Sequence, residues 1–275
     1  MHARFLKNIS RRVTSVMPAV LAMAFIDVPV GAQMRPSACD PADALPTRIM
    51  EINAEGVLTT QEGITLRLAQ VVWPDHLEPL RRAQVLDALA SGLKDQRISW
   101  KPAGAPDRWR HVPAHLFVQE PGGAHTPFWL QAGLVEAGLL PAWPNGAETH
   151  CLARLEAHEQ LAIRARRGYW GPRSQARRLL AITRAPEAHA GQHFVALWRV
   201  RSVRAWRHLH FVNIAPSFRA SASLALTQKL HGQFIALGRD PAGWGGKRIV
   251  FRVTPGAAGL TRLRVDSVNH VAFVE

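Results

Sequence analysis

Carboxylates are scarce in this chain: 20 Asp and Glu face 34 Lys and Arg in 275 residues, a formal net charge of +14. An excess of that size commonly marks a polyanion partner, either nucleic acid or an anionic envelope surface, and is otherwise compositional drift towards arginine without such a role. Cysteine is scarcer still. Cys39 and Cys151 are the only two, and neither has a Cys or His neighbour at zinc-ligand spacing, which argues against a structural zinc site. Beyond residue 32 no apolar run approaches the length of a membrane span, so the mature chain carries no transmembrane segment. The glycine cluster Gly243-Trp244-Gly245-Gly246 lacks the strand-to-helix setting and the lysine of a phosphate loop, and reads as a turn.

The first 32 residues have the layout of an export signal. Arg4, Lys7, Arg11 and Arg12 form a basic start, Val13 to Phe25 an apolar stretch, and Val30-Gly31-Ala32 a small-residue cleavage site. The expected location is therefore periplasmic or secreted. In such a compartment two cysteines allow one disulfide, Cys39 to Cys151, or else two unrelated buried thiols.

Residues 33–46, rich in Pro, Ala and Asp, read as an irregular arm. Then come strands over Arg48 to Ile52, Val57 to Thr60 and from Thr65 through Arg67, joined by turns at Asn53-Ala54-Glu55-Gly56 and Glu62-Gly63. The spacing of Leu77, Leu80, Leu86, Leu89 and Leu93 predicts a helix over 77–93. Strands at Arg97 to Lys101 and Val112 to Val118 follow, then helices over 128–140 and 150–167. Three strands, a helix and two strands make the wiring of an OB-fold, a five-stranded Greek-key barrel, mainly β with added helices. Seven arginines and no acid lie between Arg164 and Arg184, which sets a basic linker over 173–192. Residues 193–275 repeat a similar pattern and predict a second, smaller OB-like β-barrel.

The stretch Thr65-Leu66-Arg67-Leu68-Ala69-Gln70-Val71-Val72-Trp73-Pro74-Asp75 holds one arginine in an apolar strand and ends on an X-Pro-Asp stop. It resembles the staphylococcal-nuclease-like (thermonuclease) family, whose strand reads Leu-Arg-Leu-x-x-Ile/Val-Asp-x-Pro-Glu. The resemblance covers about 47–172. It continues through Asp107-Arg108-Trp109-Arg110-His111, similar to the family's Asp-Arg/Lys-Tyr-Gly-Arg, through Leu130 to Leu139, and through Glu159, Ala162 and Gly168-Tyr169-Trp170.

The resemblance implies Ca2+-dependent phosphodiester hydrolysis by two metal carboxylates, a glutamate base and two arginines. Carried over, Arg67 matches the first arginine and Asp75 stands in the base's place, one methylene shorter. Glu55 stands for one metal aspartate, Val72 for the other, and His111 for the second arginine. Valine has no side-chain oxygen for a hard cation, so Ca2+ is doubtful and hydrolysis is expected to be weakened or lost.

Residues 189–275 hold 12 basic and 3 acidic side chains. The expected polyanion surface is therefore Arg164, Arg166 and Arg167 with Arg199, Arg201, Arg204 and Arg207, where Trp198 and Trp206 are either stacking faces or core. His208 and His210 are a weak metal pair without a third ligand. Three functions stay open on these residues: a nuclease-like protein that binds nucleic acid or another polyanion, an active divergent Ca2+-dependent nuclease, and a non-catalytic envelope interaction module.

Overall fold

The computed structural model describes residues 37–73, 79–93, 95–119, 126–145, 149–175, 191–213, 223–255 and 262–274. The expected export segment over 1–32, Asp75 and most of the expected 173–192 linker lie outside them. The described residues fall in one compact unit of mixed helices and strands, in which the two expected domains are halves sharing packed side chains. Among them no helix is long and apolar enough to cross a membrane.

In the first half, β1 (Leu45–Thr47), β2 (Ile49–Ile52), β3 (Leu58–Thr60), β4 (Thr65–Leu68), β5 (Arg97–Pro102) and β6 (Val112–Gln119) form a sheet in the order β1-β5-β6-β4-β3-β2. The short β7 (Phe128–Trp129) pairs with β6. The strand β1 arises within the stretch expected to be an arm, because Leu45, Pro46 and Thr47 pair with Trp100, Ser99 and Ile98. Only Arg48 separates β1 from β2, so the two ends of the sheet are consecutive pieces of one extended stretch. Three helices pack alongside: α1 (Pro79–Leu93), α2 (Leu130–Glu136) and α3 (Thr149–Arg164). The second of these is shorter than expected, because Phe128 and Trp129 are drawn into the sheet.

The arginine strand is short too. Leu66 and Leu68 enter the core while Thr65 and Arg67 face outward, the alternation a half-buried strand requires. It ends at Leu68, six residues before Pro74, because Gln70 takes a left-handed φ of 56° and its N–H donates to Asn145 Oδ1 at 2.6 Å. Beyond this turn Val71 bridges to Ala142, and Val72 is buried.

In the second half, β8 (Phe194–Arg199) and β9 (Ser202–Trp206) come first. They are followed by β10 (Leu209–Asn213), β11 (Ser223–Thr227), helix α4 (Gln228–Ala236), β12 (Arg248–Val253), β13 (Arg262–Arg264) and β14 (Val271–Val274). These strands form two sheets, β13-β11-β10-β9 and β14-β12-β8, around a core that includes Phe194, Val212, Leu224, Phe234, Trp244 and Phe251.

Where the halves meet, Val72, Trp143, Ala162, Ile163, Tyr169 and Trp170 pack against Val195, Val250, Ala272 and Val274. Tyr169 donates its hydroxyl to Val195 O at 2.6 Å. Arg252 of β12 is fully buried in this joint. Its Nε donates to Ala142 O at 2.8 Å, and its guanidinium meets Glu159 at 2.5 Å and Glu156 at 3.2 Å.

Candidate functional site

Arg67 leaves the outer face of β4 with 45% of its side chain exposed, so it is neither a buried guanidinium nor an idle one. Glu55 lies 3.8 Å from its Nη2, Asp107 3.9 Å from its Nε, and His111 Nδ1 accepts from that Nε at 3.1 Å. Two turns deliver these partners.

The first turn holds Glu55. Asn53 Oδ1 accepts from the N–H groups of Glu55 and Val57, each at 2.9 Å, and Gly56 closes the turn at φ 78°. A Cβ on Gly56 would stand 2.3 Å from the Trp73 indole, so glycine is required there for space as well as for conformation. Arg82 of α1 donates to Ala54 O at 3.1 Å and lies over Trp73, fixing the same turn from below.

The second turn runs from Asp107 to His111 before β6. Asp107 Oδ1 accepts from the N–H groups of Trp109 and His111, both at 2.9 Å, and Oδ2 lies 3.1 Å from His111 Nδ1. Burial acts to raise the Asp107 pKa, but the two N–H groups and the imidazole outweigh it and leave it lowered. Arg110 sits in this turn at φ 69°, a left-handed conformation that costs an ordinary side chain about 1–2 kcal/mol. Trp109 is exposed, with the Arg108 guanidinium 3.8 Å and the Arg67 guanidinium 6.0 Å from its ring centre.

The cluster thus presents Arg67, His111 and an exposed indole that carries the Arg108 guanidinium, with two carboxylates already turned onto Arg67. Such a surface can hold a phosphate or stack a base. Ca2+ takes about 6–8 oxygens, and Val72 lies in the apolar joint beside Trp143, Tyr169 and Trp170, where it offers none. Among the described residues no three His, Cys, Asp or Glu side chains are grouped to hold a metal.

No family model matches this chain, and no curated protein matches it.

The structure brings Arg67, Glu55 and His111 together; Asp75 lies outside the described residues. The expected basic surface is exposed throughout: Arg164 ends α3, Arg166 and Arg167 follow it, and Arg199, Arg201, Arg204 and Arg207 belong to β8, β9 and their turns. Arg167 also contacts Glu136 at 3.6 Å. The two tryptophans separate. Trp198 packs against the second core, whereas Trp206 is half exposed under the Arg207 guanidinium, 4.7 Å from its ring centre. His208 stands in the β9–β10 turn and not on the strand, while His210 stacks on His231 at 3.6 Å. Burial, with His231 beside it, lowers the His210 pKa.

Cys39 and Cys151 are joined as a disulfide with Cα atoms 5.6 Å apart. Arg154 binds Asp40 at 2.7 Å next to it, and Lys101 donates to Ser37 O and Ala42 O, so three contacts hold residues 37–44 onto the first half.

Sequence reasoning did not anticipate Trp109 as a second exposed indole or Asp107 as the clamp of its turn. The stretch Asp107-Arg108-Trp109-Arg110-His111 carried the signal, since an Asp two and four residues ahead of paired N–H groups is a turn former.

Proposed function

We propose that this chain is an exported thermonuclease-like protein that binds nucleic acid or another polyanion, with its Ca2+-dependent phosphodiester hydrolysis weakened or lost. The observation that carries the proposal is the position of Val72, buried in the joint with Trp143, Tyr169 and Trp170, while Arg67 stays on the surface with partly buried His111 against it. A nuclease site built on this plan keeps its anion-binding groups and lacks a carboxylate at one metal position.

Two features of the backbone support the family assignment. Arg110 adopts a left-handed φ of 69° at the position where the family pattern has glycine. In the first sheet, β1 and β2 are consecutive pieces of one stretch at opposite ends of the strand order, so one stretch of chain runs along both edges, which suits a partly open barrel. The second half, with its two sheets around one core, is proposed as a smaller OB-like unit.

The test is cleavage of labelled single-stranded DNA and RNA by the oxidised chain, with Ca2+ and with chelator, beside an Arg67→Ala variant. The expected outcome is no metal-dependent cleavage but retention of the strand that weakens steeply as salt rises. Ca2+-dependent cleavage that disappears in Arg67→Ala would show an active, rebuilt nuclease instead. Neither cleavage nor retention would leave an interaction module.

A further inference from the structure

Helix α4 ends in a way that fixes the side chain after it. Gly238 turns out of the helix at φ 67°, and the N–H groups of Gly238 and Arg239 return to Ile235 O and Phe234 O, each at 2.8 Å, as glycine-terminated helices do. Trp244 Nε1 donates to Arg239 O at 3.0 Å, so the backbone of Arg239 is held on both sides. Its guanidinium lies 5.3 Å from the Phe234 ring centre and 5.0 Å from that of Phe273, and its Nη2 donates to Val271 O. The remaining N–H groups have no partner among the described residues. Burial lowers the Arg239 pKa, and Glu156 works the other way without forming an ion pair with it.

Glu156 faces Arg239 from the far wall of a cleft. Thr149, Leu152 and Glu156 follow one another along α3 at three- and four-residue spacing and so share one face of the helix. With Arg239, Asn269 and Val271 opposite, they line a cleft of about 380 Å3, within the range of small-molecule sites. Leu152 and Val271 are buried and make part of its wall apolar. Glu156 keeps 26% of its side chain exposed and is held by Arg252 at 3.2 Å. Burial raises its pKa, against the pull of Arg252 first and of Arg239 second. Elsewhere in the joint opposite charges meet directly, as Arg252 meets Glu159. Here a guanidinium and a carboxyl stand on facing walls with a cavity between them, each partly stripped of water, an arrangement that costs stability unless something bridges it.

We propose that this cleft binds a small zwitterion of the α-amino acid class, with its carboxylate on Arg239 and the Asn269 amide and its ammonium on Glu156. A planar guanidinium fork matches a carboxylate, and an ionised carboxyl matches an ammonium. Apolar atoms of the ligand would lie on Leu152 and Val271. A simple anion such as phosphate satisfies Arg239 but turns negative charge towards Glu156, and a simple cation has the reverse fault. The inference is independent of the polyanion binding proposed above. Because the ligand touches α3 and the second half together, its binding should also raise the melting temperature of the whole chain.

The test is isothermal titration calorimetry and thermal unfolding of the oxidised whole chain with glycine, L-alanine and L-leucine, beside acetate, methylammonium and inorganic phosphate. At least one amino acid is expected to bind and to raise the melting temperature, with each singly charged probe weaker by about 10-fold or more. Arg239→Gln and Glu156→Gln should each weaken the amino acid by about 10- to 150-fold. Ala153→Trp, on an exposed position at the cleft, should block binding while leaving the far-ultraviolet circular dichroism unchanged, and it decides the matter if either charge variant fails to fold. Absence of binding by all three amino acids, acetate or phosphate binding as tightly as they do, or amino acid affinity intact in Ala153→Trp overturns the proposal.

Discussion

At the scale of single residues, the Arg67 cluster is a competition for hydrogen-bonding positions. His111 Nδ1 lies 3.1 Å from the Arg67 Nε and 3.1 Å from Asp107 Oδ2, and one nitrogen cannot accept from the first and donate to the second at once. An incoming phosphate that takes Arg67 would release His111 to Asp107. Arg110 bears a conformational cost in the same turn. Its replacement by glycine removes about 1–2 kcal/mol of strain and returns about 0.4–1 through the looser unfolded chain. Arg110→Gly is accordingly expected to stabilise the fold by about 0.5–1 kcal/mol in a urea titration. Val72 behaves in the opposite way. Val72→Asp places a carboxylate among Trp143, Tyr169 and Trp170, and should lower stability by several kcal/mol without creating a Ca2+ site. A melting temperature of that variant that rises with Ca2+ would contradict this.

At the scale of elements, α3 and β12 are joined by a buried charge cluster. Glu159 accepts from Ala142 N–H at 2.9 Å and meets Arg252. Burial raises the Glu159 pKa to about 7 against the pull of Arg252 and the Ala142 N–H, and Glu156 adds to the rise. Burial likewise raises that of Glu156. Two carboxyls share one guanidinium, so one of them is best held neutral. The folded state thus binds a proton more tightly than the unfolded chain, and stability should fall as pH rises from about 4.5 through about 7, by up to about 1 kcal/mol per pH unit. Glu159→Gln should flatten that slope in chemical denaturation repeated across the range. A wild-type chain whose stability climbs over the same interval would refute the assignment.

These elements also show what the sequence makes legible. Periodicity located α1, α3 and most strands to within a few residues, because apolar spacing sets which face is buried. It did not reveal the joint. In Arg248–Val253, Ile249, Phe251 and Val253 mark one face, and Arg252 on the other reads as solvent-facing until Glu156 and Glu159 are placed opposite it. Nor could it end β4 at Leu68, since that depends on the bond from Gln70 to Asn145, 75 positions further on. Arg67, Glu55 and His111 were singled out only through the family resemblance, and Asp107, which clamps the second turn, was missed.

At the scale of the whole molecule, the halves are not independent. The second half alone would expose Val195, Val250, Ala272 and Val274 and strand Arg252 in an apolar surface. Loss of a partner from a buried ion pair costs about 3–5 kcal/mol. We expect a single unfolding transition, coincident by far-ultraviolet and near-ultraviolet circular dichroism. Two separated transitions would mean the joint is too weak to couple the halves.

The Cys39–Cys151 bond has a mechanical consequence. It closes a covalent loop of sequence separation 112, and the second half hangs outside that loop. Tension applied to the two chain ends would pass from Cys39 straight to α3 and on to the joint, leaving roughly 390 Å of extensible chain shielded behind the bond. For an oxidised molecule under load, extension is therefore confined to the joint and the second half until the bond is reduced.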